Sequence, residues 1–580
     1  MIVLVFLLSC LTLAAGYFVY GGFLYRTFGV DRNRPTPAHT LRDGVDLVAA
    51  RTPVLFGHHF SSIAGAGPIV GPIAAAAVFG WVPALAWILV GAVFIGGVHD
   101  FSALMMSIRH RARSIAEICR LYLNPVTYRF LLVFIWLALV YVLIVFLDLT
   151  ASTFAPRLAE GLEPAARQKE IQLGGAVATA SIFYVALAVV FGQLLQYTRL
   201  GLRQGSLIFV PLVFLGLVFG FFFPLHMGII PAGWIHTHPM YTWSLVLLIY
   251  CLLASITPVW ALLQPRDYLS AFLLFACLGA GGLGLILSGL LGRIPIQYAA
   301  FRGYHDPALG YIFPALFITV ACGAVSGFHS VVASGTTAKQ LPNERAARPV
   351  AYGGMLTEAV LALVALAAVM IMPVDTKFTN PMAAFSNGIG RFLAVFGLPV
   401  TVGRAFGLLA ISTFLLTTLD TCTRLARYLL EELFGMRHPN RRYVSTVLTL
   451  MPVGLLAFAR YENPTTGALI PAWKIIWPAF GTTNQLLAAL ALLVVVIWRR
   501  AMGRSIGFLF VPMLFMMATT GTSMVQLIHQ HLLTEGGVPL IGWINLVMMF
   551  MTLLLILDTV TSWGKLSQRA REVTGAVGAG

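Results

Sequence analysis

Val54-Leu-Phe-Gly-His-His-Phe-Ser-Ser-Ile-Ala-Gly-Ala-Gly-Pro-Ile-Val-Gly-Pro72 places two adjacent histidines, two adjacent serines, four glycines and two prolines in a segment otherwise apolar enough to enter a bilayer. Lipid offers no water to a free backbone N–H or C=O, so irregular backbone at membrane depth persists only where protein buries it or where it lines a polar cavity. The stretch therefore predicts a membrane helix with a break built into it. Breaks of this kind hold substrates and ions near the midplane of transporters.

The rest of the chain supplies the membrane. Of 580 residues, 59% are hydrophobic and 10% are charged, whereas a soluble globular chain carries about a quarter charged residues. Apolar runs lie near 2–25, 53–79, 81–108, 130–150, 174–192, 205–223, 241–263, 269–290, 311–333, 350–372, 401–423, 443–460, 482–498, 506–528 and 542–562. They predict an all-α polytopic membrane protein of about 15 spans. The formal net charge of +16 comes from arginines clustered between the runs, such as Arg109, Arg111 and Arg113, or Arg437, Arg441 and Arg442. Arginine so placed sets orientation in the bilayer, so no nucleic-acid partner is expected. Arg26, Arg32 and Arg34 follow the first run and no basic residue precedes it, which predicts the N-terminus outside and the C-terminus in the cytoplasm. The six cysteines include no CxxC pair and indicate neither a disulfide framework nor a thiolate metal site.

Further polar islands interrupt the runs. His99-Asp100 lies inside the third run, and an ionisable group at that depth is by default functional; the structural alternative is an ion pair with Arg109. Asp148 lies near the outer end of its run and is left out of the site. Ala254-Ser-Ile-Thr-Pro-Val-Trp-Ala-Leu-Leu-Gln-Pro-Arg-Asp-Tyr268 contains Pro258 and Pro265, and Pro258 removes a helical N–H and frees carbonyls that need partners. Counted from 53–79, its run is the sixth and begins on the opposite side of the membrane. That spacing is what an inverted repeat of two five-helix units would produce, each unit opening with a discontinuous helix. In Ser326-Gly-Phe-His-Ser330 the small and hydroxyl residues serve packing or a site equally well, and His329 reads as a core histidine unless the first break faces it. Asp420 beside Arg424 reads as an interface pair or inner gate. His226, His236 and His238 fall in an uncharged loop expected outside the membrane.

These islands carry a family resemblance. Asp43-Gly-Val-Asp46 with Val54-Leu-Phe-Gly-His-His-Phe60, Ala64-Gly-Ala-Gly-Pro68, Ile256-Thr-Pro-Val-Trp260 with Gln264-Pro-Arg-Asp-Tyr268, Ser326-Gly-Phe-His-Ser330, and Trp477-Pro-Ala-Phe-Gly-Thr-Thr-Asn-Gln-Leu486 resemble the carbon starvation protein family, CstA, over nearly the whole chain. The resemblance implies a bacterial inner-membrane uptake system for peptides or pyruvate, related to the amino acid–polyamine–organocation superfamily and of LeuT-like five-plus-five fold. The chain departs from the family at His99, where members often have Gln, and at Ala74-Ala-Ala-Ala77, where a Gln often follows the Gly-Pro pair.

Under that resemblance, residues 1–52 are an N-terminal anchor and cytoplasmic loop, 53–425 a ten-helix transport core and 426–580 accessory helices. The substrate-binding residues are expected to be His58, His59, Ser61, Ser62, Gly65, Gly67, Pro68, Thr257, Pro258 and His329, with the first break facing Thr257 and Pro258. A positive half-helix end there suits the carboxylate of a peptide or of pyruvate. Ser326 and Ser330 are the expected sodium ligands. Asp100, His99, His58 or His59 would carry a proton instead, and the crowding of ionisable groups favours the proton. No cofactor is expected. A transition metal is the competing chemistry, with His59, His99 and Asp100 as candidate ligands, although His58 and His59 on a regular helix point about 100° apart and cannot share one ion. A sodium-coupled importer of amino acids or peptides and a ligand-binding membrane sensor are the alternative functions. No HExxH or GxSxG motif accompanies the isolated serines Ser326, Ser330 and Ser334, so no enzyme is expected.

Overall fold

Apolar runs that must satisfy their own backbone in lipid close as helices. The computed structural model describes residues 1–43, 47–122, 124–156, 163–226, 238–258, 261–306, 309–374, 376, 380–438, 440–462, 469–534, 537–562 and 564. In chain order the helices of the membrane body are α1 (Ile2–Thr27), α2 (Thr52–Ile63), α3 (Gly67–Phe79), α4 (Trp81–Arg109), α5 (Pro125–Phe154), α6 (Pro164–Tyr197), α7 (Leu202–Phe222), α8 (Pro239–Ile256) and α9 (Leu263–Leu290). They continue as α10 (Ile312–Thr319), α11 (Gly327–Gly335), α12 (Glu344–Met370), α13 (Pro381–Leu393), α14 (Val400–Leu433), α15 (Arg441–Ala457), α16 (Trp473–Ala501), α17 (Gly507–Leu533) and α18 (Pro539–Thr561).

Among the described residues, 12 of these helices are long and apolar enough to cross a membrane, and α2 with α3, bent by 46°, makes up to 13. The run predicted at 311–333 is split into α10 and α11, and the run at 443–460 is the 17-residue α15. α13 answers to no predicted run, because Asn380, Ser386, Asn387 and Arg391 interrupt its hydrophobicity. It forms nonetheless. Pro381 opens it, Asn380 Oδ1 accepts the Met382 N–H at 3.0 Å, and the apolar face, including Phe385, Ile389 and Phe392, is buried.

Burial grades inward from α7, whose Leu207, Phe219 and Phe222 face outward as lipid-facing residues should, to α16, which is buried along its whole apolar window. The segment after residue 425 therefore supplies one of the innermost helices. Two antiparallel ribbons lie in the connections, with His305 opposite Tyr311 and Arg460 opposite Pro471.

Candidate functional site

Two broken helices cross at the centre. The first break falls at Ala64–Ala66, where Ala64 leaves helical geometry (φ −74°, ψ 72°) and Pro68 sits in the first turn of α3. The second falls between α10 and α11, at 320–326. His59 is bonded to Thr337, Gly67 abuts Cys322, and Gly71 abuts the Thr319 carbonyl, so residue numbers rise along one element as they fall along the other. The two broken helices are antiparallel. Glycine is what lets them touch: a Cβ on Gly67 would lie 2.3 Å from Cys322 Sγ, and one on Gly71 would lie 2.5 Å from the Thr319 oxygen.

This corrects the expected partner of the first break. Thr257 and Pro258 end α8 at a half-buried to exposed position, while the nearest neighbours of Gly65 are Phe146 and Thr418. The carbonyls freed there go to Arg424, which donates to the Ala254 and Thr257 oxygens at 2.7 Å each. A proline that merely stops a helix near its end produces the same local signal as one that breaks a span. Val259 and Trp260 of that motif lie outside the described residues, as do Val45 and Asp46 of the Asp43 motif.

The second break is held open by side chains. Asn484 Oδ1 of α16 accepts the Phe328 N–H at 3.0 Å, and its Nδ2 donates to Ser326 Oγ at 3.2 Å. Next to it, Gln485 Nε2 donates to the Phe317 oxygen at 3.2 Å, and Trp87 Nε1 donates to the Val320 oxygen at 3.1 Å. One side chain thus caps the start of α11 while others take carbonyls at the end of α10, which is what a helix interruption in lipid requires.

Around the crossing lies a chain of ionisable groups with no access to solvent. Asp100 receives one imidazole on each oxygen, His99 Nδ1 at 2.8 Å and His329 Nδ1 at 2.8 Å. The far nitrogen of His329, Nε2, lies 3.1 Å from Glu358 Oε2, an ion-pair distance without hydrogen-bond geometry. All four side chains are buried, and they come from α4, α11 and α12. Because a carboxylate accepts and Nδ1–H donates, each Asp100 oxygen takes one imidazole N–H. Between His329 Nε2 and Glu358 a proton has two places: an imidazolium facing a carboxylate, or a carboxylic acid facing a neutral imidazole. His59 packs against Gly354, one turn before Glu358 on the same face of α12. The alternative partner of Asp100 is otherwise engaged, since Arg109 pairs with Glu344 at 3.1 Å.

A second buried network starts from the neighbouring histidine. His58 Nδ1 meets Asp267 at 3.1 Å, and Arg266 joins Asp267 at 3.1 Å to Asp420, whose other contact is the Tyr250 hydroxyl at 2.9 Å. Ser61 Oγ donates to the Asp267 carbonyl at 3.4 Å, and Ser62 turns back onto the His58 carbonyl at 2.8 Å. One arginine thus faces two carboxylates, and His58 meets Asp267 from the other side. Asp420 is buried and paired with Arg266, while Arg424 goes to the Ala254 and Thr257 carbonyls.

The adjacent histidines accordingly point into different networks, one toward α9 and one toward α11. Among the described residues, no group of three or more His, Cys, Asp and Glu side chains is arranged to hold a metal ion; His59 is on Thr337 while His99 and Asp100 are bonded to each other. Of the expected sodium ligands, Ser326 is engaged with Asn484 and Ser330 donates to the Gly327 carbonyl at 2.7 Å. His236 lies outside the described residues. Reading the sequence missed Arg266, Asp267, Thr337, Glu358 and Asn484 as site residues. Glu358 had a signal: it is the one acid in an otherwise apolar run, 350–372.

Comparison with known proteins follows this geometry. The profile of the carbon starvation protein CstA family matches residues 1–379 and 373–523. The peptide transporter CstA of Campylobacter jejuni is 31% identical over 87% of this chain and 77% of its own length. The pyruvate/proton symporter BtsT of Escherichia coli is 30% identical over 80% of this chain and 72% of its own. Among solved structures, a manganese transporter of Eremococcus coleocola aligns over 91% of this chain and 99% of its own with a TM-score of 0.48 and 11% identity. The chain belongs to the carbon starvation protein CstA family.

Proposed function

We propose that the chain is a secondary active transporter that imports peptides or small carboxylates such as pyruvate by alternating access, with a proton as the coupling ion. Its relatives named as a peptide transporter and a pyruvate/proton symporter support the substrate class. The observation that carries the coupling is the buried His329–Glu358 contact beside the crossing of the two broken helices, a place for one exchangeable proton. The substrate carboxylate is placed at the start of α3, near Gly67 and Pro68, where the helix dipole favours an anion. Loading substrate there and a proton on the His329–Glu358 pair lowers the charge carried through the transition, and the Asp267–Arg266–Asp420 network holds α2 against α9 and α14 in the closed arrangement. The membrane is assigned as the bacterial inner membrane, with the C-terminus in the cytoplasm, and the fold as LeuT-like with its discontinuous pair at 64–66 and 320–326.

The test is uptake of labelled pyruvate and of small peptides in proteoliposomes under separately imposed proton and sodium gradients. Accumulation driven by the proton gradient and indifferent to sodium is the expected result. Accumulation driven by sodium alone rejects the proton, and accumulation under neither gradient rejects secondary active transport.

A further inference from the structure

α1 and α12 leave a two-part cleft between them. At their arginine-rich ends a cavity of about 640 Å³ is lined by Tyr17, Tyr25, Arg32, Asn343, Arg345 and Arg348. Three of its nine lining residues are arginines, and their charge is not cancelled locally. Glu344, next to Arg345, is committed to Arg34 at 3.0 Å, to Arg109 at 3.1 Å and to the Asp31 N–H at 3.0 Å. The Asp31 carboxylate accepts the Asn33 N–H at 2.9 Å. Among the described residues no ion pair engages Arg32, Arg345 or Arg348. Arg348 is held in place on the cavity wall: it donates to the Tyr17 carbonyl at 2.7 Å, and its guanidinium lies 4.4 Å from the centre of the Tyr17 ring.

Beside this cavity a groove of about 370 Å³ runs along the same two helices, and its lining is apolar: Leu13, Ala14, Phe18, Phe56, Leu356 and Val360. Tyr17 and Pro349 line both spaces, so the two adjoin. Phe18 is exposed at 71%, which opens the groove sideways to lipid. A ligand that fits carries an anionic oxygen group at one end for the arginines and a hydrocarbon chain at the other, and it enters from the bilayer. Guanidinium forks match phosphate oxygens in pairs, and basic pockets between membrane helices bind anionic headgroups.

We propose that this cleft is a binding site for an anionic phospholipid, with the phosphodiester among Arg32, Arg345 and Arg348 and one acyl chain along α1 and α12. Thr52 and Phe56 of α2 also line the cleft. A bound lipid therefore braces the start of the first broken helix against α1 and α12, and its loss loosens that helix.

The experiment measures the thermal unfolding midpoint of the purified, delipidated full chain in detergent with added phosphatidylglycerol, phosphatidylcholine or inorganic phosphate. Phosphatidylglycerol is expected to raise the midpoint, with little effect from the other two. The rise should disappear in Arg32→Gln/Arg345→Gln, and also in Ala14→Trp, which fills the groove and leaves the arginines intact. It should persist in Arg203→Gln, a change at an exposed arginine on α7. A rise of equal size with phosphatidylcholine, a rise reproduced by inorganic phosphate, loss of the rise in Arg203→Gln, or persistence in both cleft variants overturns the proposal. Each cleft variant stands as a test by itself if the other does not fold.

Discussion

His329 Nε2 and Glu358 Oε2 face each other at 3.1 Å in the buried centre of the protein, with the opposite side of the imidazole fixed on Asp100 at 2.8 Å. The arrangement separates two roles that a lone membrane carboxylate leaves merged. On the proposed reading, Asp100 orients both imidazoles and Glu358 exchanges a proton with His329.

Glu358→Gln removes the exchangeable proton and keeps the shape. Gradient-driven accumulation is expected to be lost while exchange of labelled for unlabelled substrate survives, as read by counterflow in proteoliposomes. Loss of exchange together with driven uptake would instead assign Glu358 to substrate binding.

Asp100→Ala leaves two imidazoles without their acceptor in a solvent-free site. Removing one partner of a buried charged set costs roughly 3–5 kcal/mol, so the variant should unfold at a markedly lower temperature than Glu358→Gln. A variant as stable as the parent contradicts the orienting role.

The Arg266–Asp420 pair predicts that the double change costs less than the single one. Arg266→Met alone strands two carboxylates, Asp267 and Asp420, and is expected to destabilise by about 3–5 kcal/mol. Arg266→Met/Asp420→Leu should recover part of that loss. The measurement is a double-mutant cycle on unfolding midpoints; additive losses mean that the two side chains do not act as a pair.

Gly67 and Cys322 give the sharpest test of the antiparallel crossing. A methyl on Gly67 would meet Cys322 at 2.3 Å, so Gly67→Ala forces the two breaks apart at a cost of about 1–3 kcal/mol. Cys322→Gly in the same chain makes room for the methyl. Rescue of stability and uptake by the second change is expected; additive damage contradicts the contact.

What the sequence made legible follows from how loudly each residue type speaks in an apolar background. The break at 64–66 was announced by two prolines and four glycines between Val54 and Pro72. Its partner at 320–326 was not, because Gly323, Ser326 and Gly327 are equally at home in packed membrane helices. Pro258 drew attention instead, and the structure uses it to end α8. The His58 and His59 side chains were legible as a pair pointing apart on a helix, and they do separate into two networks. Glu358, Arg266 and Asp267 were readable as charged residues in or beside apolar runs. Their partners were not, since His329 to Glu358 and Arg266 to Asp420 join different helices, and no local pattern encodes which helices meet.

The central claim is tested most directly by proton-driven pyruvate and peptide accumulation measured side by side in proteoliposomes of the parent chain and of Glu358→Gln, with substrate exchange measured in the same vesicles. The account predicts accumulation by the parent under an imposed proton gradient, none by Glu358→Gln, and exchange by both. Undiminished proton-driven accumulation by Glu358→Gln would contradict it.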